Sequence, residues 1–73
     1  MKKIYQPDEF PKLIRESRER AGLSQHAAAR AVTPEVPHST WWAYEHGTKN
    51  PSFAMASKLA AAVGVTLTIN ATS

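Results

Sequence analysis

Gly22-Leu23-Ser24-Gln25, followed further on by Tyr44-Glu45-His46-Gly47-Thr48-Lys49-Asn50-Pro51-Ser52, decides how this chain folds. Each landmark stops one helical segment and starts another. Gly22 ends a first helix in a left-handed conformation, which a residue without Cβ adopts at little cost. Ser24 is a good N-cap for a second helix, with Leu23 before it as a hydrophobic anchor. Gly47 stops a third helix, Thr48-Lys49-Asn50-Pro51 forms a turn, and Ser52 caps a fourth.

The segments between the landmarks carry the matching periodicity. In the first helix Asp8 serves as cap and Pro11 falls in the first turn, where a missing N–H costs little. Phe10, Leu13, Ile14 and Ser17 share one face, continued by Ala21, while Lys12, Arg15, Glu16, Glu19 and Arg20 lie on the other. Ala27, Ala28, Ala29, Ala31 and Val32 give the second helix small residues that permit close packing. Thr33-Pro34-Glu35-Val36-Pro37 breaks the pattern, since two prolines so close exclude a continuous helix. The third helix runs from His38 or Ser39 to His46, with Trp41, Tyr44 and Glu45 inward. Phe53, Met55, Ala56, Leu59, Ala60 and Val63 make the apolar stripe of the fourth, and Gly64 stops it.

Val65-Thr66-Leu67-Thr68-Ile69 is different. Apolar and polar residues alternate, and all but Leu67 are β-branched, which is a strand signature. An otherwise helical chain offers this strand no partner, and an unpaired edge is sticky. The expectation is therefore a homodimer in which Val65, Leu67 and Ile69 form the association strand with a second copy.

Composition narrows the function. The chain has 73 residues, one domain's worth, and no cysteine, so neither a disulfide framework nor a thiolate metal site is available. Nine Lys/Arg stand against six Asp/Glu, a net charge of +3, which is the right sign for a polyanionic partner. The N-terminus lacks the apolar run of a signal peptide and no segment is long enough to span a membrane, so a cytoplasmic location without membrane contact is expected. The three histidines make no metal-ligand set, and no nucleophile–base pairing or Gly-rich phosphate loop is visible. No metal, cofactor or catalytic residue is assigned, and the chain is not expected to be an enzyme.

The layout is that of a helix-turn-helix in a small all-α domain, a motif that presents a helix to the DNA major groove. From Ile14 to Val65 the chain resembles the XRE-type domains of lambdoid phage repressors and Cro proteins. The resemblance is carried by Arg15, Arg18, Gly22-Leu23-Ser24-Gln25, Ala28-Ala29, Glu45-His46-Gly47, Pro51-Ser52, Leu59 and Val63-Gly64-Val65. It implies a lambda-repressor-like bundle of four to five short helices. A narrower resemblance lies at the ends. Ile4-Tyr5, Pro7, the distance to Ser24-Gln25 and the terminal strand look like HipB-type antitoxins, which pair with HipA-type kinase toxins. The chain departs from the pattern in a longer turn from Thr33 to Pro37. It also ends four residues after the strand, where HipB-type antitoxins commonly carry a longer toxin-binding tail.

The family positions imply site residues. His38, Ser39 and Thr40 would open the recognition helix onto base edges or nearby phosphates, and Ala43, one turn on, could touch a thymine methyl. Capping is the alternative role for Ser39 and Thr40. Ser24 and Gln25 would grip a phosphate, through backbone N–H groups and the Gln25 amide. Lys49 stands in a second phosphate-contacting stretch, with His46, Thr48 and Asn50 beside it. Arg18 and Glu45 correspond to a partly buried structural ion pair. Trp41 belongs in the core. Trp42 must then point outward, to be covered by the Thr33–Pro37 turn or used on DNA or a protein. The implied function is a DNA-binding transcriptional repressor, acting on a double-stranded operator and autoregulating a toxin–antitoxin operon with a HipA-like kinase. A phage or plasmid regulator without a toxin, and a protein-interaction module, are the alternatives.

Overall fold

The structure is a computed structural model that describes residues 2–69. Its elements follow in the order β1 (Lys2–Ile4), α1 (Phe10–Arg20), α2 (Gln25–Ala31), α3 (His38–Glu45), α4 (Phe53–Ala62) and β2 (Thr66–Thr68). Among the described residues there are four helices, so the all-α expectation holds at its lower count.

The helix boundaries obey the local chemistry read from the sequence. Gly22, Gly47 and Gly64 have φ of 75, 72 and 82°, the left-handed region in which a helix ends cheaply. Ser24 and Ser52 cap α2 and α4, accepting from Ala27 N at 3.0 Å and Met55 N at 3.2 Å. The first helix starts differently from expectation. Its N-cap is Glu9, without a side-chain bond, and Asp8 lies in the preceding turn. Pro11 in the first turn and the aromatic packing of Phe10 set the start instead.

The core is where these helices meet. Trp41, Phe10, Ile14 and Leu59 are the largest fully buried side chains, joined by Ala28, Ala29, Val32, Tyr44, Ala56, Ala60 and Val63. Burying each large apolar side chain stabilises by about 1.5–3 kcal/mol. Ser17 is buried on the α1 face as the periodicity suggests, whereas Ala21 is exposed. Ala28 and Ala29 let α2 lie close to α3. The connection between them, residues 32–37, is tied down by Val36 N donating to Ala29 O at 3.2 Å.

The terminal strand requires the main correction. Its partner lies within the same chain: β2 pairs in parallel with β1, in the register Lys2↔Thr66, Lys3↔Leu67, Ile4↔Thr68. Parallel strands need a long crossover, and here all four helices supply it, so the ladder clasps the two ends together. Tyr5 extends the clasp. Its ring meets Phe10 and Phe53 edge-on, each at 5.6 Å, and its hydroxyl donates to Pro51 O at 3.2 Å. Regular strand is confined to Thr66–Thr68, inside the expected Val65–Ile69.

The three residues assigned to association therefore separate. Val65 and Leu67 are buried in the chain's own core, and only Ile69 is exposed, at 64%. The alternation read in the sequence was real, but its apolar side faces the chain's own helices.

Candidate nucleic-acid interface

The third helix has two opposed sides. Trp41, Tyr44 and Glu45 are buried. Ser39, Ala43 and His46 follow at i, i+4 and i+7, the spacing of one helical stripe, on the opposite side. Ser39 and His46 are exposed there and Ala43 half-buried. His38 is exposed at the first position and Thr40 is half-buried on the flank. The structure assigns the cap of α3 to Pro37, which has no capping side chain. Ser39 and Thr40 lie inside the helix, so capping does not account for them.

One buried carboxylate braces this helix from behind. Glu45 Oε2 accepts from Arg18 Nε at 2.6 Å, and Oε1 accepts from Arg18 Nη2 at 3.3 Å and from Gln25 Nε2 at 3.1 Å. The Trp41 indole N–H donates to Oε2 as well. The Glu45 side chain is 1% exposed and that of Arg18 14%. Arg18 also donates from Nη1 to Leu23 O at 2.9 Å, fixing the turn before α2. Burial by itself would raise the Glu45 carboxyl pKa. The hydrogen bonds from Arg18, Trp41 and Gln25, with the Arg18 charge, outweigh burial and hold it below its ordinary 4.5. α1, α2 and α3 are thus locked at a single anion, and the ion pair expected between Arg18 and Glu45 is present.

The remaining expected residues fall around this brace. Ser24 is the exposed cap of α2. Gln25 is half-buried, its amide engaged by Glu45 on one side and His38 on the other, at 3.4 Å from the ring Nε2. Its side chain thus links α2 to α3. Lys49 is exposed beyond the end of α3, in the turn that Thr48 N anchors by donating to Ala43 O at 3.0 Å.

Two aromatic features had only a partial signal in the sequence. Trp42 is 45% exposed. The side chain against its ring is His46, stacked at 3.9 Å and 18°, with the imidazole Nδ1 within 2.9 Å of Trp42 O. The i, i+4 spacing could have revealed that pair; the expected cover by the Thr33–Pro37 turn leaves Trp42 exposed. His26 of α2 lies against His38, ring centroids 5.3 Å apart, a contact that only the fold could bring about. Among the described residues no group of three or more potential metal ligands occurs, and no helix is long and apolar enough to cross a membrane.

Two helices joined by the turn of residues 32–37, the second anchored from behind and polar in front, define a helix-turn-helix module of the DNA-binding regulator class. The chain belongs to the helix-turn-helix domain family, whose model it matches over residues 10–68, and within it to the XRE-like class. This family is typically non-enzymatic. No curated protein and no solved structure gives a significant match.

Proposed function

We propose that the protein is a sequence-specific transcriptional repressor that binds an operator as a homodimer, in the manner of a HipB-like antitoxin controlling its own operon with a HipA-like kinase toxin. The observation that carries DNA recognition is the outer face of α3. Exposed His38 and Ser39 and half-buried Ala43 lie on this helix, with exposed His46 at its C-cap, and its opposite side is fixed by the Glu45 brace. His38, Ser39 and Thr40 then meet base edges or adjacent phosphates. Ala43 approaches a thymine methyl, and Ser24, the backbone at Gln25 and Lys49 position the phosphates. Ile69 and the outer sheet edges support association, since β1 and β2 each have one neighbour among the described residues. The antitoxin role rests on Ile4-Tyr5, Pro7 and the terminal strand.

Selection of binding sites from random duplex DNA tests this reading. An enriched inverted repeat with half-site centres about 10 base pairs apart, or a multiple of that, supports a two-fold repressor. Absence of any enriched sequence defeats it. Affinity should also fall steeply with salt, and Lys49→Ala should reduce the slope of log K against log salt by about 1. A slope that Lys49→Ala leaves unchanged removes that phosphate contact. A HipA-type kinase gene beside this one would support the antitoxin role; its absence favours a phage or plasmid regulator.

The exposure of Trp42 favours a second reading, a protein-interaction module with that indole as hot spot. Trp42→Ala separates the two by parallel DNA-binding and partner-binding titrations. Intact DNA binding with partner binding lost places Trp42 at a protein interface. Loss of roughly tenfold or more in DNA affinity places it on the DNA side.

A further inference from the structure

β1 is bonded along one edge. Tyr5 N donates to Thr68 O at 2.8 Å, so the N–H and C=O groups of Tyr5 turn toward β2. The peptide groups of neighbouring strand residues point to opposite edges, so those of Ile4 turn the other way. Among the described residues β2 is the one neighbour of β1, and that second edge is unpaired. It opens on a groove of about 500 Å³. Lys2, Lys3 and Ile4 form one wall. Glu9, Lys12, Leu13 and Glu16 form the other, a stripe along α1 at i, i+3, i+4 and i+7. No residue of β2 lines the groove, which puts it on the far side of β1.

We propose that this edge docks an extended, acidic segment of another protein, which adds to β1 as a third strand. Charge decides against a second copy there. Full-length antiparallel pairing of β1 with its own copy sets Lys3 opposite Lys3, and like charges directly opposite are destabilising. β2, Thr66-Leu67-Thr68, carries no charge, and its edge stays available for self-association. The same lysines favour carboxylates. Glu9 and Glu16 flank Lys12 at helical spacing and offset its charge, so the excess positive charge lies on β1, at Lys2 and Lys3. Among the described residues none of these five side chains enters a salt bridge. Leu67, aligned with Lys3, is buried, so Lys2 and Ile4 face away from the helices. The docked strand therefore lays apolar side chains inward, over half-buried Leu13, and carboxylates outward, beside Lys2.

The groove lies away from α3. Arg18, which reaches Glu45 of α3, lies about two and a half turns beyond Glu9, so the two project from opposite sides of α1. An occupant on the Glu9 stripe leaves the outer face of α3 uncovered. The inference stands apart from DNA recognition, and either holds or fails without the other.

The test is selection of random peptides displayed on phage against the full chain, followed by NMR titration of a synthetic peptide of the enriched sequence. That sequence should alternate apolar residues with Asp or Glu. Its titration should shift the amides of Lys2, Lys3, Ile4 and Leu13 and protect the Ile4 amide from hydrogen exchange. Ile4→Pro removes the N–H that points to the open edge, where proline is tolerated. It should bind the peptide roughly three- to tenfold more weakly than Ile4→Ala, the worth of one main-chain hydrogen bond. Lys2→Glu/Lys3→Glu, which leaves the backbone alone, should lose the acidic peptide by a similar factor and gain one in which Lys replaces its acidic residues. Absence of any enriched peptide, enrichment without the acidic alternation, or an affinity that neither change alters overturns the inference. So does a peptide whose binding is lost in Trp42→Ala, which moves the interface to α3. A folded Ile4→Pro that sediments as a monomer where the wild type is a dimer gives the edge to a second copy, and overturns it as well.

Discussion

Replacing Arg18 with alanine is expected to lower the unfolding free energy by about 3–5 kcal/mol, the cost of leaving one member of a buried ion pair unpaired. A domain of 73 residues has about 4–11 kcal/mol in total. The variant is therefore largely unfolded under mild warming. Glu45 is the reason for the size of the effect. Its side chain is 1% exposed, so no water replaces the two Arg18 donors. Glu45→Ala errs in the other direction, stripping the Trp41 indole, the Gln25 amide and Arg18 of their acceptor at once. The double variant Arg18→Met/Glu45→Leu should recover a large part of the loss, because it removes both charges together. Urea unfolding followed by the fluorescence of buried Trp41 gives all these values. A loss below about 1 kcal/mol in Arg18→Ala would be that of an ordinary surface pair and would dismiss the brace.

The pH dependence follows from the same site. The folded pKa of Glu45 is depressed, so its stabilisation is complete above the unfolded value of 4.5 and is lost as pH falls through the folded value. The wild-type protein should lose stability on acidification below about pH 4.5. That acid-side loss should shrink in Arg18→Ala, where the strongest support for the charged form is gone.

Most of the helical fold was legible because it rests on local chemistry. Ser24 and Ser52 cap helices, Gly22, Gly47 and Gly64 end them, and the apolar spacing of Phe10, Ile14, Trp41, Tyr44 and Leu59 marks the core. The partner of the last strand was not legible. Lys2-Lys3-Ile4 is three residues long and exposed throughout, without the alternation that marks a strand, and it becomes one only when β2 arrives from the far end of the chain. The candidate site divides along the same line. The positions of His38, Ser39, Thr40 and Ala43 followed from family spacing. The engagement of the Gln25 amide by Glu45 and His38 did not, because it depends on three side chains converging from two helices. Residue types can announce a helix end; they do not announce which of a residue's hydrogen bonds are already taken.

Leu67 and Ile69 should respond in opposite ways to the same substitution, and the contrast isolates association from folding. Leu67 is 6% exposed, packed into the core beneath the helices. Leu67→Lys forces an ammonium group into that core or opens the clasp that joins β2 to β1, at a cost of several kcal/mol. The expected result is a chain without cooperative unfolding or DNA affinity, so this variant says nothing about dimers. Ile69 is 64% exposed, just past the end of β2. Ile69→Lys leaves the core intact and should change the unfolding midpoint little, within the range of ordinary surface substitutions of about 0.5 kcal/mol. If two copies meet along this strand, Ile69→Lys places like charges at the junction, weakens self-association and, through it, reduces operator affinity by tenfold or more, about 1.4 kcal/mol or greater. Sedimentation and thermal unfolding, run on the same samples, separate the outcomes. A folded monomer that binds the operator weakly supports the strand-mediated dimer. An undisturbed dimer moves association to the helices, leaving the two strands as a clasp within each subunit.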